Sequence, residues 1–311
     1  IYQLAADMGG AGFIFTGENM LGVIAAVPTP IDHKGNPVIE TFLSYCAWVL
    51  QNGCDGLNIL GSTGEANSFS SDQRKLIMTS AAKNLDIQKL MVGTGNPSLA
   101  ESISLTKFAN DLGYKVALVL PPFYYKPLTD EGLFIWYKTL HEKLGRRRIE
   151  IYFYNFPQMT GLTIPIKVIE KLQQQWSSRF SGIKDSSGDL NYCRILSKKN
   201  NFKVFPSSEV SISEAHRSKF SGCISATVNQ TLHLSSNAWA NKSQDITTII
   251  SQIKEIREEI SKESLIPSIK YLVSKQTKIK TWQHLLPPLS ALSEARRLEL
   301  NLLYNKLSFQ F

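Results

Sequence analysis

The sequence predicts an α/β fold, a TIM-type (β/α)8 barrel with a C-terminal helical appendage. Three observations predict it. From Gly22 onward, eight strand-like runs alternate with helix-like runs, which implies a parallel sheet, and eight such units close it on itself. The first run leads into Pro28-Thr29-Pro30, where a doubly wound sheet would carry a glycine fingerprint. After Leu232 the pattern is purely helical. The chain therefore divides into an N-terminal extension (1–19), a barrel core (20–231), and a last barrel helix with C-terminal helices (232–311). A natural start at Met20 would make the preceding segment an extension, and that segment lacks the basic start and continuous apolar stretch of a signal peptide.

Each element has its own signal. Residues 22–27 (GVIAAV) read as the first strand. Residues 39–51 carry apolar positions at helical spacing and stop at Asn52-Gly53, a C-cap signal. The second and third strands are 56–60 (GLNIL) and 89–93 (KLMVG). Ser70 with Gln73, and Ser98 with Glu101, form capping boxes for the helices that follow these strands. Residues 116–120 (VALVL) make the fourth strand, followed by a helix over 130–144. Residues 150–154 (EIYFY) make the fifth, and Pro165 suits a first helical position. Strands six, seven and eight fall at 180–184, 202–205 and 222–225. The tail reads as helices over 245–262, 265–275 and 290–307.

Composition narrows the function classes. The 311 residues are 43% hydrophobic, enough for a large core, and no apolar run is long enough to span a bilayer. The net charge of +8 gathers in patches such as 143–148 (KLGRRR) and 275–280 (KQTKIK). Neither is interleaved with aromatics, so they read as solvated faces rather than a nucleic-acid groove. Cys46, Cys54, Cys193 and Cys223 are widely spaced and suit small apolar fillers in a reduced, cytoplasmic protein. The five histidines form no zinc-binding pair, and no metal or cofactor is expected.

Active sites in this architecture gather at the C-terminal strand ends. Strand six ends in Lys184, followed at once by Asp185-Ser186-Ser187-Gly188. Burial there disfavours the ammonium, and a neutral lysine is a nucleophile able to form a Schiff base with a 2-oxo acid. Strand two ends in Gly61-Ser62-Thr63-Gly64-Glu65, whose hydroxyls and amides can hold a carboxylate. Strand four leads to Phe123-Tyr124-Tyr125, and strand five ends in Tyr154-Asn155-Phe156-Pro157. Gly93-Thr94-Gly95-Asn96-Pro97-Ser98 has two glycines and a proline, and reads as a strand-to-helix turn rather than a phosphate loop.

Gly61-Ser62-Thr63-Gly64-Glu65, Tyr154-Asn155-Phe156-Pro157 with Thr160-Gly161, and Ile183-Lys184-Asp185 resemble the signatures of the dihydrodipicolinate synthase and N-acetylneuraminate lyase family. The resemblance runs from Gly22 to at least Asn229 and implies class I lyase chemistry without a metal, in a homotetramer built as a dimer of dimers. It implies that Lys184 forms the Schiff base with pyruvate and that Tyr154 shuttles the proton. Thr63 would link Tyr154 into a hydroxyl relay that Tyr124 completes in a neighbouring subunit's site. The Ser62 and Thr63 amides would bind the carboxylate, and the Ile224 backbone carbonyl would face the site.

Departures from the family pattern bear on the substrate. The synthases carry an arginine two residues past the proline of the Tyr154 motif, where this chain has Met159, and methionine cannot grip a carboxylate bidentately. The sialic acid lyases use an Asp-Glu pair and a serine where this chain has Glu209, Val210 and Ala226. Ser186, Ser207, Ser208 and Glu209 leave a polar pocket suited to a hydroxylated 2-oxo (sugar) acid. A dihydrodipicolinate synthase condensing pyruvate with aspartate semialdehyde is the alternative, and a 2-oxo acid binding module is the non-enzyme one. Fold alone does not choose among them.

Overall fold

A computed structural model describes residues 20–307. The expected extension, 1–19, lies outside them. Eight parallel strands run in the order β7-β6-β5-β4-β3-β2-β1-β8. They are β1 (Gly22–Ala26), β2 (Gly56–Ile59), β3 (Leu90–Gly93), β4 (Val116–Val119), β5 (Glu150–Asn155), β6 (Phe180–Asp185), β7 (Lys203–Pro206) and β8 (Gly222–Ser225). Seven neighbours are joined by ladders. At the remaining junction Ser221 closes the ring: its amide donates to the Val204 carbonyl at 2.9 Å, and its hydroxyl accepts from the Val204 amide at 3.1 Å. The barrel and its polarity are as the sequence predicts.

The helices are α1 (Ile39–Gln51), α2 (Ser71–Asn84), α3 (Leu99–Leu112), α4 (Asp130–Leu144), α5 (Pro157–Thr160) and α6 (Ile166–Gln175). Then follow α7 (Leu190–Leu196), α8 (Ile212–Ser218), α9 (Val228–Ala240), α10 (Thr247–Ile260), α11 (Leu265–Thr277) and α12 (Glu294–Lys306). The boundary expected at 231/232 cuts through α9, which begins right after β8 and is the eighth barrel helix. Ser70 and Gln73 form the expected capping box. Ser98 caps α3 on one side only, because the Glu101 carboxylate takes the Ser71 hydroxyl instead. Pro165 is the N-cap of α6 rather than its first residue. No helix among the described residues is long and apolar enough to cross a membrane.

Strand side chains alternate between two faces, so each strand feeds two cores. Ile24, Ala26, Met91, Leu118, Tyr152, Phe205 and Ile224 belong to the cluster that fills the lumen. Val23, Ala25, Leu57, Val92, Phe153 and Cys223 pack outward against the helices. All four cysteines are buried and free. Both faces of the strands are therefore largely apolar, which is why most of them read as continuous runs rather than alternating ones.

The C-terminal helices reach back to the barrel mouth through one buried ion pair. Lys270 on α11 donates to Glu65, which closes the turn after β2, and neither side chain is exposed to solvent. The second Glu65 oxygen accepts the Leu286 amide at 2.7 Å. Burial lowers the Lys270 pKa from its ordinary value, and the Glu65 charge opposes that shift. Removing one member of such a pair strands the other charge, at a cost of about 3–5 kcal/mol. Lys270→Met is therefore expected to lower the urea midpoint of unfolding sharply, and Glu65→Gln in the same chain to recover part of the loss.

Candidate active site

The site is built where β5 and β6 end. Tyr154 and Lys184 are ladder partners, each 4% exposed, and Lys184 Nζ lies 4.4 Å from the centroid of the Tyr154 ring. Among the described residues no carboxylate pairs with Lys184. A second pair, one residue on, holds the strand ends in place. Asn155 Nδ2 donates to Asp185 Oδ1 at 2.7 Å, and Asn155 Oδ1 accepts the Ile164 amide at 2.9 Å. The Ser187 hydroxyl donates to the other Asp185 oxygen at 2.8 Å. Burial raises the Asp185 pKa, with these hydrogen bonds opposing the shift. Because Asn155 and Asp185 point away from the lumen, they fix the register of Tyr154 and Lys184 without occupying the site. Sequence reasoning assigned no role to this pair, although both residues directly follow the reactive ones in their motifs.

The turn after β2 brings the hydroxyls over the same end of the lumen. Leu60 leaves the strand with φ +52°, a left-handed conformation that bulky residues rarely adopt, and so redirects the chain sharply. Gly61 O accepts the Gly64 and Ala66 amides, and Ser62 O accepts the Glu65 amide. The Ser62 and Thr63 amides donate no hydrogen bond among the described residues, which leaves two adjacent donors for an anion. The hydroxyl against the Tyr154 phenol belongs to Ser62, with Oγ 3.3 Å from the phenolic oxygen. Thr63, expected in that place, is buried without contacting the phenol. The left-handed turn sets which of two adjacent hydroxyls faces Tyr154, and composition does not reveal that.

The remaining expected residues divide. Ile224 lies in the lumen cluster, in register with Ile24. The Ser186 and Ser207 amides extend the ladders, donating to Asn155 O at 2.7 Å and Asp185 O at 2.8 Å. By strand alternation both serines follow Lys184 and Phe205 on the lumen side. Tyr124 is 75% exposed and stacks edge-on with Tyr125, outside this chain's own site. Met159 is also exposed.

Glu209 is a correction: it does not line the pocket. It is wholly buried, with one oxygen accepting the Thr227 and Thr231 hydroxyls and the other paired with Arg257 of α10 at 3.0 Å. Arg257 also donates to Ser225, which alternates with Ile224 and so lies on the helix side of the sheet. Both oxygens of Glu209 are thus engaged in structural contacts. Burial alone would raise its pKa, but Arg257 and the neighbouring hydroxyls outweigh burial and lower it from 4.5.

A cleft of about 910 Å3 lies between α9, α10 and α12. It holds neither the lysine nor the phenol, so chemistry places the site at the strand ends.

A (β/α)8 barrel with a buried lysine and phenol paired at the ends of β5 and β6 is the architecture of a family of lyases and aldolases. The chain belongs to the dihydrodipicolinate synthetase family, whose pattern matches residues 19–306. It is 30% identical over 207 residues to a DapA-like lyase of Chloroflexus aurantiacus, covering 66% of this chain and 69% of that protein. It is 31% identical over 176 residues to a 4-hydroxy-tetrahydrodipicolinate synthase of Coxiella burnetii, covering 56% of this chain and 59% of that protein. The match thus spans less than two thirds of that synthase. A dihydrodipicolinate synthase of Acinetobacter baumannii, solved with pyruvate, superimposes with a TM-score of 0.83 at 26% identity, over 94% of this chain and 100% of that one.

The folded Glu209 carboxyl ionises below its ordinary value. Its contribution to stability is therefore present above pH 4.5 and lost as pH falls through the folded value. Glu209→Gln is expected to lower the urea midpoint at pH 7, and the gap from wild type to narrow only below pH 4.5. Turnover per folded molecule should stay near wild type.

Proposed function

We propose that the protein is a class I aldolase that forms a Schiff base between Lys184 and pyruvate or a larger 2-oxo acid, and makes or breaks a carbon–carbon bond beside it. The observation that carries this reading is Lys184 itself: buried, without a carboxylate partner, and 4.4 Å from the Tyr154 ring. A lysine amine placed this way can attack the ketone of a 2-oxo acid. Attack on C2 of the 2-oxo acid gives a carbinolamine, and loss of water gives the iminium. Tyr154, joined to the Ser62 hydroxyl, moves protons to and from the carbinolamine oxygen and the departing or arriving aldehyde. The free Ser62 and Thr63 amides hold the carboxylate before the reaction begins, so they stabilise charge without reorganising.

The electrophile is a hydroxylated aldehyde, giving a 2-oxo-3-deoxy sugar acid or a close analogue. Support comes from the Ser186 and Ser207 hydroxyls above Lys184, and from Met159 where an arginine grip would stand. With Glu209 spent on Arg257, the polar contacts offered are neutral ones. The synthase reading draws on the printed activity of the Coxiella burnetii relative. Exposed Tyr124 and Tyr125 support a homotetramer, in which each tyrosine pair meets a neighbouring copy, and we place the enzyme in the cytoplasm.

Borohydride reduction with pyruvate, followed by peptide mass spectrometry, is expected to show a pyruvyl adduct on Lys184 and none in Lys184→Ala. Tyr154→Phe should still trap pyruvate while losing about 100- to 10,000-fold in turnover. Rapid condensation with aspartate semialdehyde, and none with hydroxylated aldehydes, would replace the sugar-acid assignment with the synthase one.

A further inference from the structure

One polar side chain in the lumen has no reason to be there in the unliganded protein. Asn58 lies on β2 between its ladder partners Ala26 and Met91, both in the lumen cluster, so its own side chain points inward. It is wholly buried. Nδ2 reaches the Ile59 carbonyl at 3.5 Å, the outer limit of a hydrogen bond. Oδ1 has no partner among the described residues. Such an orphan normally calls for an explanation. The surrounding wall includes Ile24, Ala26, Met91 and Ile224, so an aliphatic residue would be the more stable choice.

The free end of the carboxamide has a definite address. A methyl group on Gly61 would fall 2.6 Å from Asn58 Oδ1, so residue 61 is glycine where the carboxamide needs the space. The next two residues are Ser62 and Thr63, with their free amides. Asn58 thus lies directly beneath the proposed carboxylate cradle. A half-turn about χ2 exchanges oxygen and nitrogen in an amide of nearly constant shape.

We propose that Asn58 is a substrate-binding residue: its carboxamide donates to the carboxylate of the 2-oxo acid, a third donor beside the Ser62 and Thr63 amides. This rests on the Schiff-base reading above. It makes the site selective for a free carboxylate over a neutral 2-oxo amide, and the substrate supplies the partner that the unliganded protein lacks.

The test pairs stability with trapping in wild type, Asn58→Leu and the smaller Asn58→Val. Melting temperature is measured without ligand. Borohydride trapping on Lys184 is titrated with pyruvate and, separately, with pyruvamide, its neutral analogue. Removing the orphan should raise the melting temperature by about 2–4 °C. The half-saturating pyruvate concentration should rise about 10- to 100-fold, with pyruvamide little changed. A merely structural asparagine gives the reverse pattern: a lower melting temperature, and both ligands affected alike or not at all. Normal pyruvate half-saturation in either folded variant overturns the role of Asn58 alone. If neither variant folds, Asn58 is a core residue and the role also falls. No wild-type adduct with either ligand overturns the Schiff-base reading, and this inference with it.

Discussion

The Lys270–Glu65 ion pair is the constraint on which the rest of the site depends. It joins a helix outside the barrel to the turn after β2, deep enough that neither charge meets solvent. Two charges out of water are tolerated only when each is fully engaged, and the Leu286 amide takes the remaining Glu65 oxygen. The geometry of Ser62 and Thr63 follows from that fixed point, because Glu65 closes the same turn from the other side. The C-terminal helices thus serve as scaffolding for the turn after β2. Their sequence shows only amphipathic spacing, and nothing in it tells which barrel residue they clamp.

The second organising rule is the two-residue alternation of the strands, which sorts chemistry from support. Tyr154 and Lys184 face the lumen, while Asn155 and Asp185, one step on, face the helices and pin the strand ends to each other. A shift of one residue would put Asn155 and Asp185 in the lumen in place of Tyr154 and Lys184. That a tyrosine and an asparagine, or a lysine and an aspartate, stand next to each other is therefore a consequence of the pleat. The lumen-facing half of each dipeptide is legible in the sequence, because strand ends are. The supporting half becomes legible only once the two strands are known to be neighbours in register.

The same contrast separates the other successes from the failures. The eight strands could be read because buried parallel strands are short apolar runs bounded by turns, and their order follows from alternation with helices. The short helices α7 and α8 escaped notice, since seven residues show too little periodicity. Glu209 follows Ser207 and Ser208, a polar run that reads as pocket lining, yet its side chain is buried on structural partners. Its actual partner, Arg257, lies on another helix 48 residues away. Ser62 and Thr63 are chemically alike, so the sequence does not show which hydroxyl meets Tyr154; after the left-handed Leu60 it is that of Ser62.

The seam between first and last strands has a consequence for how the chain is made. Gly22 to Ala25 find their second ladder in Gly222 to Ser225, so β1 stands with one edge unpaired until β8 has been synthesised. During that interval a run of aliphatic backbone is open to any other strand, including one from a sister chain on the same message. Ser221, whose amide and hydroxyl both grip Val204, then joins the newly arrived β8 to β7 as well as to β1. Enclosure of the lumen thus waits for β8, and Lys184 is shielded from water only after it.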